Sequence, residues 1–119
     1  MKYAVIDVGS NTVRLCVYDV LCPEKRKFKT IMNRKIMAGL AAYIVDGAFS
    51  DEGIAEAILA VKKCIKRASY LSPDRIDVFA TAVLRNISNS AQAIAAIEQG
   101  AGCTISLLSN ADEAHLGFV

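Results

Sequence analysis

Residues 4–20, AVIDVGSNTVRLCVYDV, constrain the fold of this chain more than any other stretch. Two apolar runs flank the small polar turn Gly9-Ser10-Asn11-Thr12, with a carboxylate just before the turn and a guanidinium just after it. Nearly continuous apolar runs of this length predict two strands, at 3–8 and 13–19, covered on both faces and joined in a tight hairpin. A glycine followed by Ser and Asn lets backbone N–H groups approach an anion closely, and the two side chains add donors. The same pattern also suits a plain hairpin in which Asp7 satisfies turn N–H groups. Arg14 is open between a ligand role and pairing with a carboxylate elsewhere.

The rest of the chain supplies the partners of this hairpin. Positions 27–37 predict a third strand, and AGLAAYIVDGAFS a loop with glycines at 39 and 47. Ser50 is a suitable N-cap for a helix over 51–69, with Ile54, Ile58, Val61, Ile65 and Ala68 as its apolar stripe. Glu52 and Glu56 near its start, and Lys62, Lys63, Lys66 and Arg67 near its end, complement the helix dipole. IDVFATAV (76–83) predicts a strand. Asn89 or Ser90 then caps a short helix stopped by Gly100, and CTISLL (103–108) is another strand. A last helix begins at Ser109 or Asn110 and is cut off at Val119.

The order β-β-β-α-β-α-β-α specifies an α/β domain with a mixed sheet, three hairpin-linked strands first and alternating helix–strand units after. Residues 1–119 make one domain, and the interrupted last helix suggests the first part of something longer. With 54% hydrophobic residues, the chain is apolar for its size, which predicts further protein over one face or self-association as a homodimer. No run approaches the roughly 20 apolar residues of a membrane span, and no secretory pattern opens the chain. A net charge of +2 argues against a nucleic-acid binder. Six of the fourteen basic residues lie in EKRKFKTIMNRK (24–35), read as a charged edge strand, with a polyanion-attracting rim as the alternative. The four cysteines lack metal-ligand spacing, so they are expected to be reduced, mostly buried thiols in a cytoplasmic protein.

If the strands ending near residues 8, 83 and 108 run parallel, three sets of polar residues gather along one sheet edge, where open α/β sheets bind ligands. These are Gly9, Ser10 and Asn11; Thr81 and Arg85; and Glu113. Arg85 offers a planar fork that matches phosphate oxygens in pairs. Glu113 can deprotonate a water, or Asp7 and Glu113 can hold Mg²⁺ through its waters. Singly, each has a plainer role: Arg85 on a surface loop, Glu113 stabilising a first helical turn.

These segments resemble the Ppx/GppA phosphatases. AVIDVGSNTVRL is similar to that family's opening I-D-x-G-S-N phosphate motif, and FATAVLRNISN (79–89) to its A-T-x-x-x-R-x-x-x-N element. ISLLSNADEA is similar to its I-S-G-x-x-E-A segment, and GAFSDEGIAEAI to its G-x-L-S-x-E-A-I. The resemblance implies an actin-like (ribonuclease H-like) half-domain and Mg²⁺-dependent hydrolysis of phosphoanhydride bonds in inorganic polyphosphate or guanosine pentaphosphate. By motif position it implies phosphate binding by Gly9, Ser10, Asn11 and Arg85, a metal role for Asp7 and a catalytic base in Glu113. It also implies a missing C-terminal half, since the family's second motif, D-x-G-G-G-S-x-E, does not occur here. Asn110 and His115 depart from the family's usual glycine and basic residue, and KIMAGL from its R-L-G-E-G-L. An actin-like kinase and a non-catalytic polyphosphate- or (p)ppGpp-binding module are the alternatives. The S-N-T turn argues against the kinase, and retention without turnover would mark the binding module.

Overall fold

A computed structural model describes residues 1–25 and 27–107. The expected last helix, with Glu113 and His115, lies outside these residues. Strand β1 (Lys2–Val8) turns into β2 (Thr12–Cys22), which turns into β3 (Lys27–Met37). A 3₁₀ turn (Leu40–Tyr43) and a two-residue hairpin, β4 (Ile44–Val45) and β5 (Ala48–Phe49), lead into helix α1 (Asp51–Ser69). After it come β6 (Arg75–Ala80), one helical turn α2 (Ala82–Arg85), α3 (Ser90–Ala101) and β7 (Ile105–Leu107). The main sheet has the order β3-β2-β1-β6-β7. Its first three strands are antiparallel, and β6 and β7 run parallel to β1.

The core follows from strand alternation. Ala4, Ile6 and Val8 of β1 lie in register with Val17, Leu15 and Val13 of β2, and all six are fully buried. Val78, Ala80 and Ile105 continue this face across β6 and β7. Helices α1 and α3 pack over it. The opposite face carries Tyr3, Val5, Asp7, Arg14, Cys16, Tyr18, Asp77 and Phe79, and among the described residues no helix covers it. Val5 on this second face is nonetheless buried, and the expected last helix lies outside the described residues. Compact or amphipathic side chains tolerate this face: Tyr18 meets Phe28 edge-on, with ring centroids 5.4 Å apart.

Helix α1 has the expected bounds, and Ser50 caps it by accepting a hydrogen bond from the Gly53 N–H. Its buried line differs from the expected stripe. Ala57, Ala60, Val61, Cys64 and Ala68 face the sheet, while Ile54, Ile58 and Ile65 flank them half-buried. Small side chains let the helix lie close to the strands, and the isoleucines fill the grooves on either side. Gly100 does not stop α3; it lies inside the helix against Ile58, and the left-handed Gly102 (φ 71°) ends it.

Two further boundaries are corrected. The strand expected at 76–83 ends at Ala80, because Thr81 donates to the Val8 carbonyl through its N–H (3.2 Å) and its hydroxyl (3.3 Å). The chain then winds into α2, with the N–H groups of Leu84 and Arg85 both on the Thr81 carbonyl. The expected 38–50 loop contains the β4–β5 hairpin, whose corner residues Asp46 (φ 52°) and Gly47 (φ 80°) are both left-handed. Strand β3 matches its expected range and forms a sheet edge, as its charge density implied. Among the described residues no helix is long and apolar enough to cross a membrane.

Candidate phosphate-binding rim

The turn after β1 is held from both sides. Inside it, the Gly9 N–H donates to the Thr12 carbonyl at 2.9 Å. A Cβ at position 9 would sit 3.0 Å from that carbonyl oxygen, a tight contact that a larger residue relieves only by shifting the turn by a few tenths of an ångström. Outside it, the Ser10 carbonyl accepts from the Ala41 N–H (2.7 Å) and the Asn11 carbonyl from the Gly39 N–H (2.8 Å). A trans peptide points its N–H opposite to its C=O. The Asn11 N–H is thereby aimed away from the 39–41 segment. Ser10 is half-buried and Asn11 exposed.

Beside this turn lies the end of β6. Parallel pairing sets Val8 opposite Ala80, so both strands finish at the same sheet edge, and Thr81 bonds the two tips together. Arg85 is half-buried at the end of α2, anchored through Leu84, which is fully buried. Strand β7 ends at this edge too, with Leu107 opposite Ala80. Three strand ends thus share one rim, bringing Gly9, Ser10 and Asn11 together with the Thr81–Arg85 segment. Glu113, expected to follow β7, lies outside the described residues.

Asp7 sits one residue before the rim on the sheet face opposite α1, directly across from Arg14 and Phe79. Opposed residues of an antiparallel pair bring their Cβ atoms to about 5 Å, so carboxylate and guanidinium share one patch. Asp7 Oδ1 is shielded from solvent, whereas Arg14 is exposed. Among the described residues no three His, Cys, Asp or Glu side chains cluster as a metal site. Magnesium commonly takes only one or two carboxylates, with waters and substrate phosphates completing its shell. Asp7 fits that modest requirement.

Asn89 has a role its sequence context did not reveal. It occupies the position before α3 but makes no capping bond. Its side chain instead grips the Phe49 backbone, accepting from the N–H (2.8 Å) and donating to the carbonyl (2.9 Å). The neighbouring Ser88 N–H reaches the Gly47 carbonyl at 2.8 Å. The segment carrying Arg85 is thereby sewn to the β4–β5 hairpin. Asn89→Ala is expected to destabilise the chain by about 2–4 kcal/mol, because it leaves a backbone donor and an acceptor unsatisfied in a half-buried setting. Urea unfolding measures this, and an unchanged midpoint would rule the clamp out.

The displaced ionisations lie away from the rim. Burial, with a hydrogen bond to Asp77, pushes the Tyr3 phenol up to about 12. Burial pushes the Cys64 thiol up to about 11 and also raises that of Cys103. These thiols stay protonated and behave as small apolar groups. Each of these groups binds its proton more tightly folded than unfolded. For Tyr3 and Cys64 that stabilisation is complete below about pH 9 and declines as pH rises through 11–12. Melting temperatures measured from pH 8 to 12 should fall over that window, and the Tyr3→Phe variant should fall less.

A sequence profile of the Ppx/GppA phosphatase family matches residues 21–119. This chain belongs to the Ppx/GppA phosphatase family. Solved structures agree with it. A Cytophaga hutchinsonii exopolyphosphatase superimposes with a TM-score of 0.84 at 26% identity, over 98% of this chain and 36% of that one. The Aquifex aeolicus Ppx/GppA phosphatase superimposes at 0.81 with 22% identity, over 92% of this chain and 36% of that one. The fold of this Ppx/GppA chain is accordingly the actin-like, ribonuclease H-like half-domain. It spans about 36% of the length of those two proteins. Family and neighbours together support a phosphatase-type function.

Proposed function

We infer that this chain is the amino-terminal part of an exopolyphosphatase that releases the terminal phosphate of inorganic polyphosphate or guanosine pentaphosphate. The observation that carries this is the parallel adjacency of β1 and β6, which brings the Gly9–Asn11 turn and the Thr81–Arg85 segment to one rim. Phosphoryl transfer needs mainly positioning and charge stabilisation, so anion donors and one base suffice from the protein. On the turn that Gly9 keeps tight, the N–H groups and side chains of Ser10 and Asn11 orient the terminal phosphoryl group. Arg85 spreads its fork over two of its oxygens. Glu113, matched by motif position, takes the proton of the attacking water, whose oxygen bonds to phosphorus as the bridging P–O bond breaks. Asp7 would hold Mg²⁺ together with substrate oxygens, and the ion would neutralise charge on the phosphates.

In this proposal the remaining two-thirds of a family-length chain supplies the opposite wall of the cleft. The 119 residues alone should then release no phosphate. The test measures Mg²⁺-dependent phosphate release from polyphosphate and from guanosine pentaphosphate, using this chain and a family-length version of it. Turnover by the longer protein and none by the chain is the expected result. Failure of the longer protein on both substrates would sink the assignment.

A further inference from the structure

A basic groove lies away from the rim, on the side of the edge strand that faces α1. A groove of about 470 Å³ runs between β3 and α1, lined by Met32, Arg34, Lys63, Lys66, Arg67 and Tyr70. Four of these six residues are cations and none is an acid. None of the four forms an ion pair with a described residue. The helix dipole favours Lys63, Lys66 and Arg67 near the end of α1, but it does not set that all three line one groove.

It does not account for Arg34 either. Arg34 pairs in register with the fully buried Leu15, and so projects from the strand face that carries the core. Its neighbours on that face, Met32 and Ile36, are apolar and pack against the core. An arginine between them interrupts this apolar pair, and the exposed Lys29, opposite Asp19, places a further cation on the same face. Like charges converging without a counter-charge repel one another, and a bound polyanion removes that repulsion.

We propose that the Arg34–Lys63–Lys66–Arg67 groove is an accessory site for linear polyphosphate, holding the chain remote from its hydrolysed end. This rests on the assignment of the rim as a polyphosphate-hydrolysing site. Lys63 to Arg67 lie about 18–24 Å along α1 from its start, at about 1.5 Å per residue. That start adjoins the 3₁₀ turn docked on the Ser10–Asn11 loop. A long polyphosphate can therefore touch both places, whereas a short one reaches only one. Four cations and no acid among its lining residues match a ligand made of linked phosphoryl groups.

The test titrates the chain with long-chain inorganic polyphosphate and with inorganic tripolyphosphate, comparing Lys63→Gln/Lys66→Gln and Arg85→Ala variants. Both lysines are exposed, so the double variant keeps the fold, checked by its melting temperature. It should bind the long chain about tenfold more weakly, with a salt slope shallower by about 1.4, and bind tripolyphosphate like the parent. Long-chain affinity equal to the parent's, or no long-chain binding by the parent, would overturn the proposal. Equal binding of single-stranded DNA through the same two lysines would overturn its ligand class. Arg85→Ala separates the two claims, because tripolyphosphate binding that ignores Arg85 counts against the rim and not against the groove.

Discussion

Arg85→Ala is expected to lower turnover of a family-length version of this protein by about two to three orders of magnitude, the usual cost of deleting one donor aimed at transition-state charge. The backbone here is secured independently of the guanidinium. The Arg85 N–H rests on the Thr81 carbonyl, Leu84 is fully buried, and Asn89 fastens the following loop to Phe49. The substitution should therefore remove the fork and leave the fold. Arg85→Lys should recover only part of the loss, since an ammonium carries the charge without the paired geometry. Steady-state kinetics on polyphosphate decide the matter. Unchanged kcat and KM in the alanine variant would show that Arg85 touches no phosphoryl group.

Glu113→Gln should cost about 10²–10⁴ in kcat, the range for removing a positioned general base. The replacement keeps size and hydrogen-bonding capacity, so binding, and with it KM, should change little. A loss confined to kcat marks an interaction made in the transition state. The acid limb of the pH–rate profile, set in the parent by protonation of the carboxylate, should disappear in the variant. Full turnover by Glu113→Gln would assign the base elsewhere.

Where periodicity decided an element, the sequence was legible. Strand β3 and helix α1 have their expected bounds, and Ser50 caps as expected, because alternation, 3.6-residue spacing and capping chemistry are local. The β4–β5 hairpin had a local signal as well, Asp46-Gly47, but its strands are two residues long and offer no pattern around the turn. The end of β6 was overrun because Ala82 and Val83 continue an apolar run. What ends the strand is the tie from Thr81 to Val8, a contact 73 residues away in sequence. Asn89 was read as a cap for the same reason. Its actual partner, Phe49, is 40 residues distant.

The site divides along the same line. The turn Gly9-Ser10-Asn11, the charged edge strand and the helix over 51–69 were determined by the sequence alone, since each depends on neighbours within a few residues. Only the tertiary structure decided that β1 and β6 lie side by side and parallel, so that the first turn and Arg85 share a rim. It alone decided on which sheet face α1 packs, and that Arg34 shares a groove with three cations of α1. Pairing between distant strands is chosen by burial of the whole apolar face at once, and no local stretch contains that information.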